Sequence, residues 1–300
     1  MELALICAQQ VIVLFLLIGV GTLAVKTGVL KLEHKQPLSN LLVNIVVPAM
    51  IVNSYQMEFS LEILRNLLAA FGLSILTIAL GTVLTLALTA RRKNSRTAIF
   101  RFASIFSNAA YMGFPLISAL FGSEGLLYAS AYVTVFNVLL WTLGYSMVSG
   151  SSDPKAVVKS LAHTPAIYLL QIPIPALLAQ PISLLGAMNT PLSMLITGML
   201  IAAGDLKSIV CSRPIWKLAA VRMLVIPALC LGAFALLGLF RFGMAAQVVL
   251  LLECCPAAAI TSVFAVQFGH DEQFAAGCVV LTTLLSILTL PLCALVLTMA

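Results

Sequence analysis

Long runs of apolar residues, separated by short polar stretches, occupy almost the whole chain. A helix needs about 20 mostly apolar residues to cross the hydrocarbon core of a bilayer, and each run is close to that length. Ten spans are predicted, at residues 5–25, 37–57, 67–90, 100–121, 126–149, 164–181, 184–203, 216–240, 244–268 and 274–298. They leave no room for a soluble domain, so the pattern predicts an all-α polytopic membrane protein.

Composition agrees with this pattern. The 300 residues are 62% hydrophobic and 9% charged, whereas a soluble domain is nearer 25% charged. The MELALICAQQ start has no basic region typical of a cleaved signal peptide, so it is predicted to begin the first span. The seven cysteines are scattered without metal-ligand spacing, and neither a metal nor a cofactor is expected.

The net charge of +6 comes from basic residues with a strong bias in position. Alternate loops, all on one side of the ten-span arrangement, contain 14 of the 16 basic residues, and only Arg65 and Arg241 lie elsewhere. The fourteen are Lys26, Lys31, Lys35, Arg91, Arg92, Lys93, Arg96, Arg101, Lys155, Lys159, Lys207, Arg213, Lys217 and Arg222. Because basic loops stay in the cytoplasm, the protein is expected in the plasma (inner) membrane with both termini extracytoplasmic. The excess of basic residues therefore reflects membrane topology, and no nucleic-acid partner is expected.

The two halves of the chain contain matching segments. FGSEG at 121–125 closes the fourth span, and FGHDE at 268–272 closes the ninth. LVNIVVPAM at 42–50 and AMNTPLSML at 187–195 each place a proline after an asparagine in the second and seventh spans. The matches predict two five-span repeats, 1–150 and 151–300, and an odd number of spans gives the second repeat the inverted orientation.

The fourth and ninth spans each contain a proline, and the stretch SNAAYMGFPLISALFG at 107–122 also contains Asn108 and Gly113. Proline removes a backbone donor and glycine relaxes the backbone. Inside a membrane, an interrupted helix is tolerated where it lines a cavity. Unwound backbone is therefore predicted around 109–115 and 255–259, near Pro115 and Pro256, where the two spans cross. The half-helix N-termini there suit an anion such as a carboxylate.

Polar residues within the spans add candidates for the site. Glu253 is the acidic residue that lies well inside a predicted span. It is interpreted either as a proton carrier or cation ligand, or as a carboxyl that is hydrogen-bonded to a neighbouring helix for packing or lies within reach of an aqueous vestibule. Asn108 is the first amide candidate, Asn44 and Asn189 follow because they lie near prolines in repeat-related spans, and Asn137 lies in the middle of the fifth span. Each amide could instead bond between helices for packing.

The segment 107–122 resembles the fourth-span signature of the auxin efflux carrier family, and ECCPAAAITSVFAVQFGHD at 253–271 resembles its ninth-span signature. LLVNIVVPAMIVNS at 41–54 is similar to the second span of that family, so the resemblance covers nearly the whole chain in order. It implies ten helices in two inverted repeats, a scaffold of spans 1, 2, 6 and 7, and a transport domain of spans 3–5 and 8–10. It implies organic anions as substrates and an elevator-like mechanism, with Asn108, Gly113, Pro115, Pro256 and, by a looser match, Asn137 near the substrate.

Three function classes remain open after this reading. The leading one is a secondary transporter for small organic anions, coupled to protons, sodium ions or the membrane potential, since the chain has no GxxxxGK[ST] motif for ATP. The alternative is a sensor or channel on the same fold. An intramembrane enzyme is disfavoured because it would need paired carboxylates, a Ser–His pair or a metal set at depth. A homodimer is left open. The predicted sixth span is short and contains several prolines.

Overall fold

The computed structural model of the protein describes residues 2–54, 60–91, 95–150 and 175–297. Apart from one isolated antiparallel pair, the regular secondary structure of these residues is helical. Seven helical stretches among them are long and apolar enough to cross a membrane: Leu5–Lys26, Leu32–Asn53, Leu61–Thr89, Ala109–Ser149, Leu177–Ala202, Arg213–Leu236 and Glu272–Leu297. The protein is therefore an all-helical, multi-span membrane protein.

The described residues of the first half contain five helices. Helix α1 is Glu2–Lys26, and α2 consists of Lys35–Leu41, a π turn at Leu42–Val46 and Val47–Ser54. Helix α3 is Leu61–Thr89, and its first turn is capped by Ser60 Oγ, which accepts from Ile63 N at 3.1 Å. Helix α4 is Ser95–Ile105, and α5 consists of a π turn at Ala109–Gly113, Phe114–Leu139, a second π turn at Leu140–Gly144 and Tyr145–Ser149.

The described second half contains seven further helices. Helices α6 to α8 are Ala176–Ala187, Asn189–Ala202 and Leu206–Cys211. Helix α9 joins Arg213–Ala220, a π turn at Val221–Val225 and Ile226–Leu236. Helices α10, α11 and α12 are Met244–Glu253, Ile260–Gln267 and Glu272–Leu297.

One boundary between spans differs from the sequence prediction, and another coincides with it. The predicted boundary between the sixth and seventh spans, at 182–183, is wrong because it lies inside α6, which accommodates Pro181 within the helix. Most of the predicted sixth span lies outside the described residues. The predicted gap between the fourth and fifth spans does coincide with a backbone change, since Gly122 has φ 59° within α5. Glycine adopts this left-handed conformation without the strain that a side chain would add.

Helix packing divides the described residues into two groups. Helix α1 packs along α7, and the second half of α2 packs against α6. Helices α3, α5 and α10 pack against one another. At the α1–α7 contact a Cβ on Gly198 would lie 2.2 Å from the main-chain oxygen of Ile18, so only glycine permits this approach. Helix α1 also contacts α12, and α7 contacts the π turn at Ala109–Gly113, so these contacts join the two groups.

Candidate functional site

Two interrupted helices cross at the centre of this arrangement. The helix α4 ends at Ile105 and α5 starts at Ala109, while α10 ends at Glu253 and α11 starts at Ile260. Between these ends the extended backbones pair in antiparallel fashion at Ser107 and Ala257. The Asn108 N–H donates to Pro256 O at 2.7 Å, and the Ala258 N–H donates to Phe106 O at 2.9 Å. These bonds satisfy backbone groups that would otherwise be costly in a membrane.

The predicted position of the interruption is right for one helix and shifted for the other. Residues 254–259 are non-helical, which includes the predicted stretch 255–259. The prediction of unwinding at 109–115 is wrong, because the non-helical residues are 106–108 and the helix resumes at Ala109. Pro115 follows the π turn, whose wider winding removes the need for the N–H that proline lacks.

The helix N-terminus at Ala109 has unused hydrogen-bond donors. Asn108 O accepts from the N–H groups of Met112 and Gly113 at 3.0 and 3.2 Å. The N–H groups of Ala109, Ala110 and Tyr111 have no acceptor within the described residues. The first turn of α11 is tightened by a bond from Thr261 N to Ala258 O, and the N–H groups of Ala259 and Ile260 have no acceptor within the described residues either. Both helix starts at the crossing therefore keep free donors, and three of them lie beside Asn108.

The opposite side of the crossing is occupied by Arg222, which is fully buried. Its Nε donates to Cys255 O at 3.1 Å, and its Nη1 donates to Ser104 O and Ile105 O at 3.1 and 3.3 Å. Its Nη2 donates to Glu253 O. The guanidinium thus satisfies carbonyls at the C-terminal ends of α4 and α10, where a positive charge is favourable.

Glu253 is the partner of this buried cation. Its Oε1 lies 2.7 Å from Arg222 Nη1, and both side chains are 0% exposed. Its Oε2 accepts from the Tyr132 hydroxyl at 2.7 Å, and Ser107 Oγ lies 3.0 Å from that hydroxyl. A buried ion pair is tolerated only when such additional bonds satisfy both groups. This geometry favours the alternative of a hydrogen-bonded packing carboxylate, while the proton-carrier role of Glu253 stays a prediction.

Three of the predicted site residues lie at the crossing. Asn108 is 3% exposed and its side chain does not cap the following helix. Pro256 lies in the extended stretch and contributes its carbonyl to Asn108. Gly113 lies in the π turn, where a Cβ would come within 2.4 Å of the Leu252 side chain, so glycine lets α10 approach.

The remaining predicted amides are placed differently from one another. Asn189 begins α7 and is 2% exposed, and neither side-chain atom of its amide has a hydrogen-bond partner among the described residues. Asn137 is half-buried in α5, on the same helix as Tyr132. Asn44 is exposed, and its Nδ2 donates to Asn40 O within its own helix at 2.9 Å. The structure therefore does not bring Asn44 to the crossing.

Sequence reasoning missed Arg222 and Tyr132. The assignment of Arg222 to a cytoplasmic loop is wrong, because it lies in a buried π turn inside the spanning stretch Arg213–Leu236. Without Arg222, thirteen basic residues remain in the predicted charge bias, and two of them, Arg213 and Lys217, lie in the first turns of the same helix. The available signal was its position six residues inside the apolar run at 216–240. Burying a charge at such depth costs free energy unless an opposite charge pairs with it. Glu253 is the acidic residue that the sequence places well inside a predicted span.

A second ion pair joins the starts of α4 and α12. Arg96 Nε donates to Asp271 Oδ2 at 2.7 Å, and the Asp271 side chain is 25% exposed. Asp271 Oδ1 also accepts from Phe274 N at 2.9 Å and so caps α12. Partial burial opposes ionisation, but the Phe274 N–H and the Arg96 guanidinium outweigh it and lower the pKa of Asp271.

Comparison with known proteins agrees with this picture of a membrane protein. A sequence model of the family described as membrane transport protein matches residues 6–166 and 164–294. The chain is 26% identical over 302 residues to an uncharacterized transporter of Methanothermobacter thermautotrophicus, covering 96% of this chain and 98% of that protein. It is 25% identical over 307 residues to an uncharacterized transporter of Methanocaldococcus jannaschii, covering 94% and 96% of the two chains. The family resemblance that the span motifs predict is confirmed.

Proposed function

The chain belongs to the family of membrane transport proteins, and we propose that it is a secondary active transporter that moves a small organic anion, a carboxylate, across the plasma membrane. This proposal rests mainly on the N–H groups of Ala109–Tyr111, which have no acceptor within the described residues and lie beside the buried amide of Asn108. Backbone N–H groups and the helix dipole together favour an anion at such a place.

The substrate site that we propose is centred on Asn108 and the three free N–H groups. Its polar groups suit a carboxylate, because the N–H groups only donate and the Asn108 amide can also donate. Asn189 is the second amide that we include, since α7 packs against the same π turn and its amide has no partner within the described ranges. Asn137 completes the proposed lining from α5. Asn44 is left out because its side chain is exposed and bonded to its own helix.

The proposed architecture is ten helices in two inverted repeats, residues 1–150 and 151–300. Gly122 and Gly269, which follow Phe in the two matching FG segments, both have positive φ, 59° and 67°. The interruptions of the two crossing helices also pair directly, at Ser107 and Ala257. A positive φ at both of these repeat-related glycines supports a common structural unit used twice.

The proposed mechanism is elevator-like alternating access. The crossing packs within the group formed by α3, α5 and α10, whereas α1, α2, α6 and α7 pack with one another. We assign the first group, with α4, α9, α11 and α12, to the transport domain and the second to the scaffold. A substrate bound at the crossing would then move with the transport domain past α1 and α7.

A two-stage experiment tests the proposed activity. Purified protein is screened by thermal shift against small mono-, di- and tricarboxylates, with matched uncharged amides as controls. Each carboxylate that stabilises the protein is then measured in proteoliposomes by counterflow, in which external labelled substrate exchanges with internal unlabelled substrate. Accelerated, saturable exchange is expected. Binding without flux would instead indicate a sensor, and non-saturable flux would indicate a channel.

Coupling to an ion is tested with Glu253→Gln, which keeps the shape of the side chain but cannot carry a proton. If Glu253 is a proton carrier, the variant exchanges substrate but loses accumulation driven by a pH gradient. If Glu253 is a packing carboxylate, pH-driven accumulation stays at the wild-type level in any variant that folds.

The orientation that we propose places both termini outside the cytoplasm. It rests on the remaining basic loop residues of one side. In a cysteine-free background, single cysteines at positions 1 and 94 are expected to react from opposite sides of intact cells. Labelling of both positions from the outside would refute the ten-span topology.

A further inference from the structure

The acceptors around Arg222 form an unusual set. Within the described chain its guanidinium donates to the main-chain oxygens of Ser104, Ile105, Glu253 and Cys255, and to Glu253 Oε1. Four of these five atoms are therefore backbone carbonyls, and the fifth is a carboxylate oxygen. They come from the C-terminal ends of two different helices that converge on one buried point.

Such a set of oxygens is the kind that binds a small hard cation. Sodium and calcium ions prefer carbonyl and carboxylate oxygens, and the C-terminal ends of interrupted membrane helices concentrate partial negative charge. Glu253 adds a formal negative charge, since its two oxygens accept from Arg222 and Tyr132. Without Arg222, these oxygens would face one another with no donor between them.

We propose that the crossing is a cation site that is permanently occupied by the guanidinium of Arg222. The side chain acts as a positioning residue: it holds the ends of α4 and α10 together and excludes a free metal cation from this point. The crossing therefore assembles without sodium, and any coupling metal cation binds elsewhere. This inference concerns the binding of cations and holds whether or not the protein transports a carboxylate.

Arg222→Ala vacates the proposed site and provides the test. Thermal unfolding of the full-length purified protein is measured in choline chloride, in sodium chloride at the same ionic strength, and with added methylguanidinium. We expect the wild-type Tm to be the same in choline and sodium. The Tm of Arg222→Ala should be lower in choline, and should rise with the concentration of methylguanidinium and of sodium, because a ligand that binds only the folded state stabilises it.

Arg101→Ala is the matched control. Arg101 also satisfies a helix C-terminus, since its Nη2 donates to Thr89 O at 3.1 Å, but it is only partly buried. Water can replace it, so this variant should show no saturable response to either cation. The proposal is contradicted if Arg222→Ala responds no more than Arg101→Ala does. It is also contradicted if sodium stabilises the wild-type protein and Glu253→Gln abolishes that effect.

Two further variants cover the case in which Arg222→Ala does not fold. Arg222→Lys keeps a cation at the same oxygens but supplies three donors instead of five. It is expected to fold with a lower Tm than wild type and to remain insensitive to sodium. The double variant Arg222→Met with Glu253→Gln removes both charges but leaves the four carbonyls without a donor, so it should need methylguanidinium. If the double variant is as stable as wild type in choline chloride, Arg222 merely neutralises Glu253 and the proposal is wrong. Failure of all three variants to fold with methylguanidinium present also contradicts it, because an added cation should replace the lost one.

Discussion

The hydroxyl of Tyr132 offers a quantitative test of the buried network at the crossing. Tyr132→Phe deletes one oxygen atom from a side chain that is 0% exposed, so the ring and its packing are retained. The deletion leaves Glu253 Oε2 without its 2.7 Å donor and Ser107 Oγ without its 3.0 Å partner. A hydrogen bond to a charged group contributes about 1.5–3 kcal/mol and a neutral one about 0.5–1.5 kcal/mol. We therefore expect a loss of about 2–4.5 kcal/mol in the free energy of unfolding.

Tyr128→Phe is the matched control, one turn earlier on the same helix. The Tyr128 ring is also 0% exposed, and its hydroxyl donates to Glu124 Oε1 at 2.6 Å. Glu124 is only half-buried, so water can replace the lost donor. The control should therefore lose about 1 kcal/mol or less.

The measurement is equilibrium unfolding in mixed detergent micelles, followed by the fluorescence of Trp141 and Trp216. A loss of about 2 kcal/mol corresponds to roughly a 30-fold change in the unfolding equilibrium constant, which this assay resolves. If the two variants lose the same free energy, or if Tyr128→Phe loses more, then the buried carboxylate does not depend on Tyr132 and our account of the network is wrong.

Two other regions of the structure yield predictions of stability. Gly198→Ala should destabilise the protein because its Cβ would lie 2.2 Å from Ile18 O, whereas Gly19→Ala, with nothing within 4 Å, should be neutral or slightly stabilising; unfolding in mixed micelles checks both, and equal losses would argue against the close α1–α7 contact. Asp271→Asn keeps the cap of α12 but removes the ion pair with Arg96, so it should cost about 0.2–1 kcal/mol at pH 7. Because the pKa of Asp271 is lowered in the folded state, this contribution is present above the unfolded pKa of about 3.9 and is lost as the pH falls through the folded value. A gap between wild type and Asp271→Asn that does not narrow at all as the pH falls below about 3.9 would contradict this assignment.

The all-helical, multi-span nature of the chain could be read from the sequence because apolar runs of bilayer length predict spanning helices. The number of ten spans stays a prediction. The interruption near Pro256 could also be predicted, since proline removes the local donor. The interruption at 106–108 could not, because Pro115 is accommodated by a π turn and the extended backbone is fixed by partners about 150 residues away, Pro256 O and Ala258 N. The local pattern contains no information about such pairing.

The role of Arg222 shows a different limit. Counting basic residues by loop predicts topology well, but it assigns every arginine near a span boundary to water. The role of Arg222 follows only from its contacts with Glu253 and with the ends of α4 and α10, which the structure shows. Asn44 and Asn189 show the same limit, because they occupy equivalent positions in the sequence matches but different environments in the structure. Asn44 is exposed and bonded to its own helix, whereas Asn189 is buried and its amide has no partner among the described residues.

We propose above all that a carboxylate binds at the crossing beside Asn108. It is tested most directly by the dissociation constant of a carboxylate identified by the thermal-shift screen, measured by calorimetry for wild type, Asn108→Ala and Asn44→Ala. Loss of one hydrogen bond is worth about 0.5–1.5 kcal/mol, and more when the acceptor is charged, so Asn108→Ala should weaken binding by roughly 2- to 13-fold or more. Asn44→Ala, which removes an exposed amide bonded to its own helix, should leave the affinity unchanged. Equal affinity of wild type and a well-folded Asn108→Ala protein would contradict the claim.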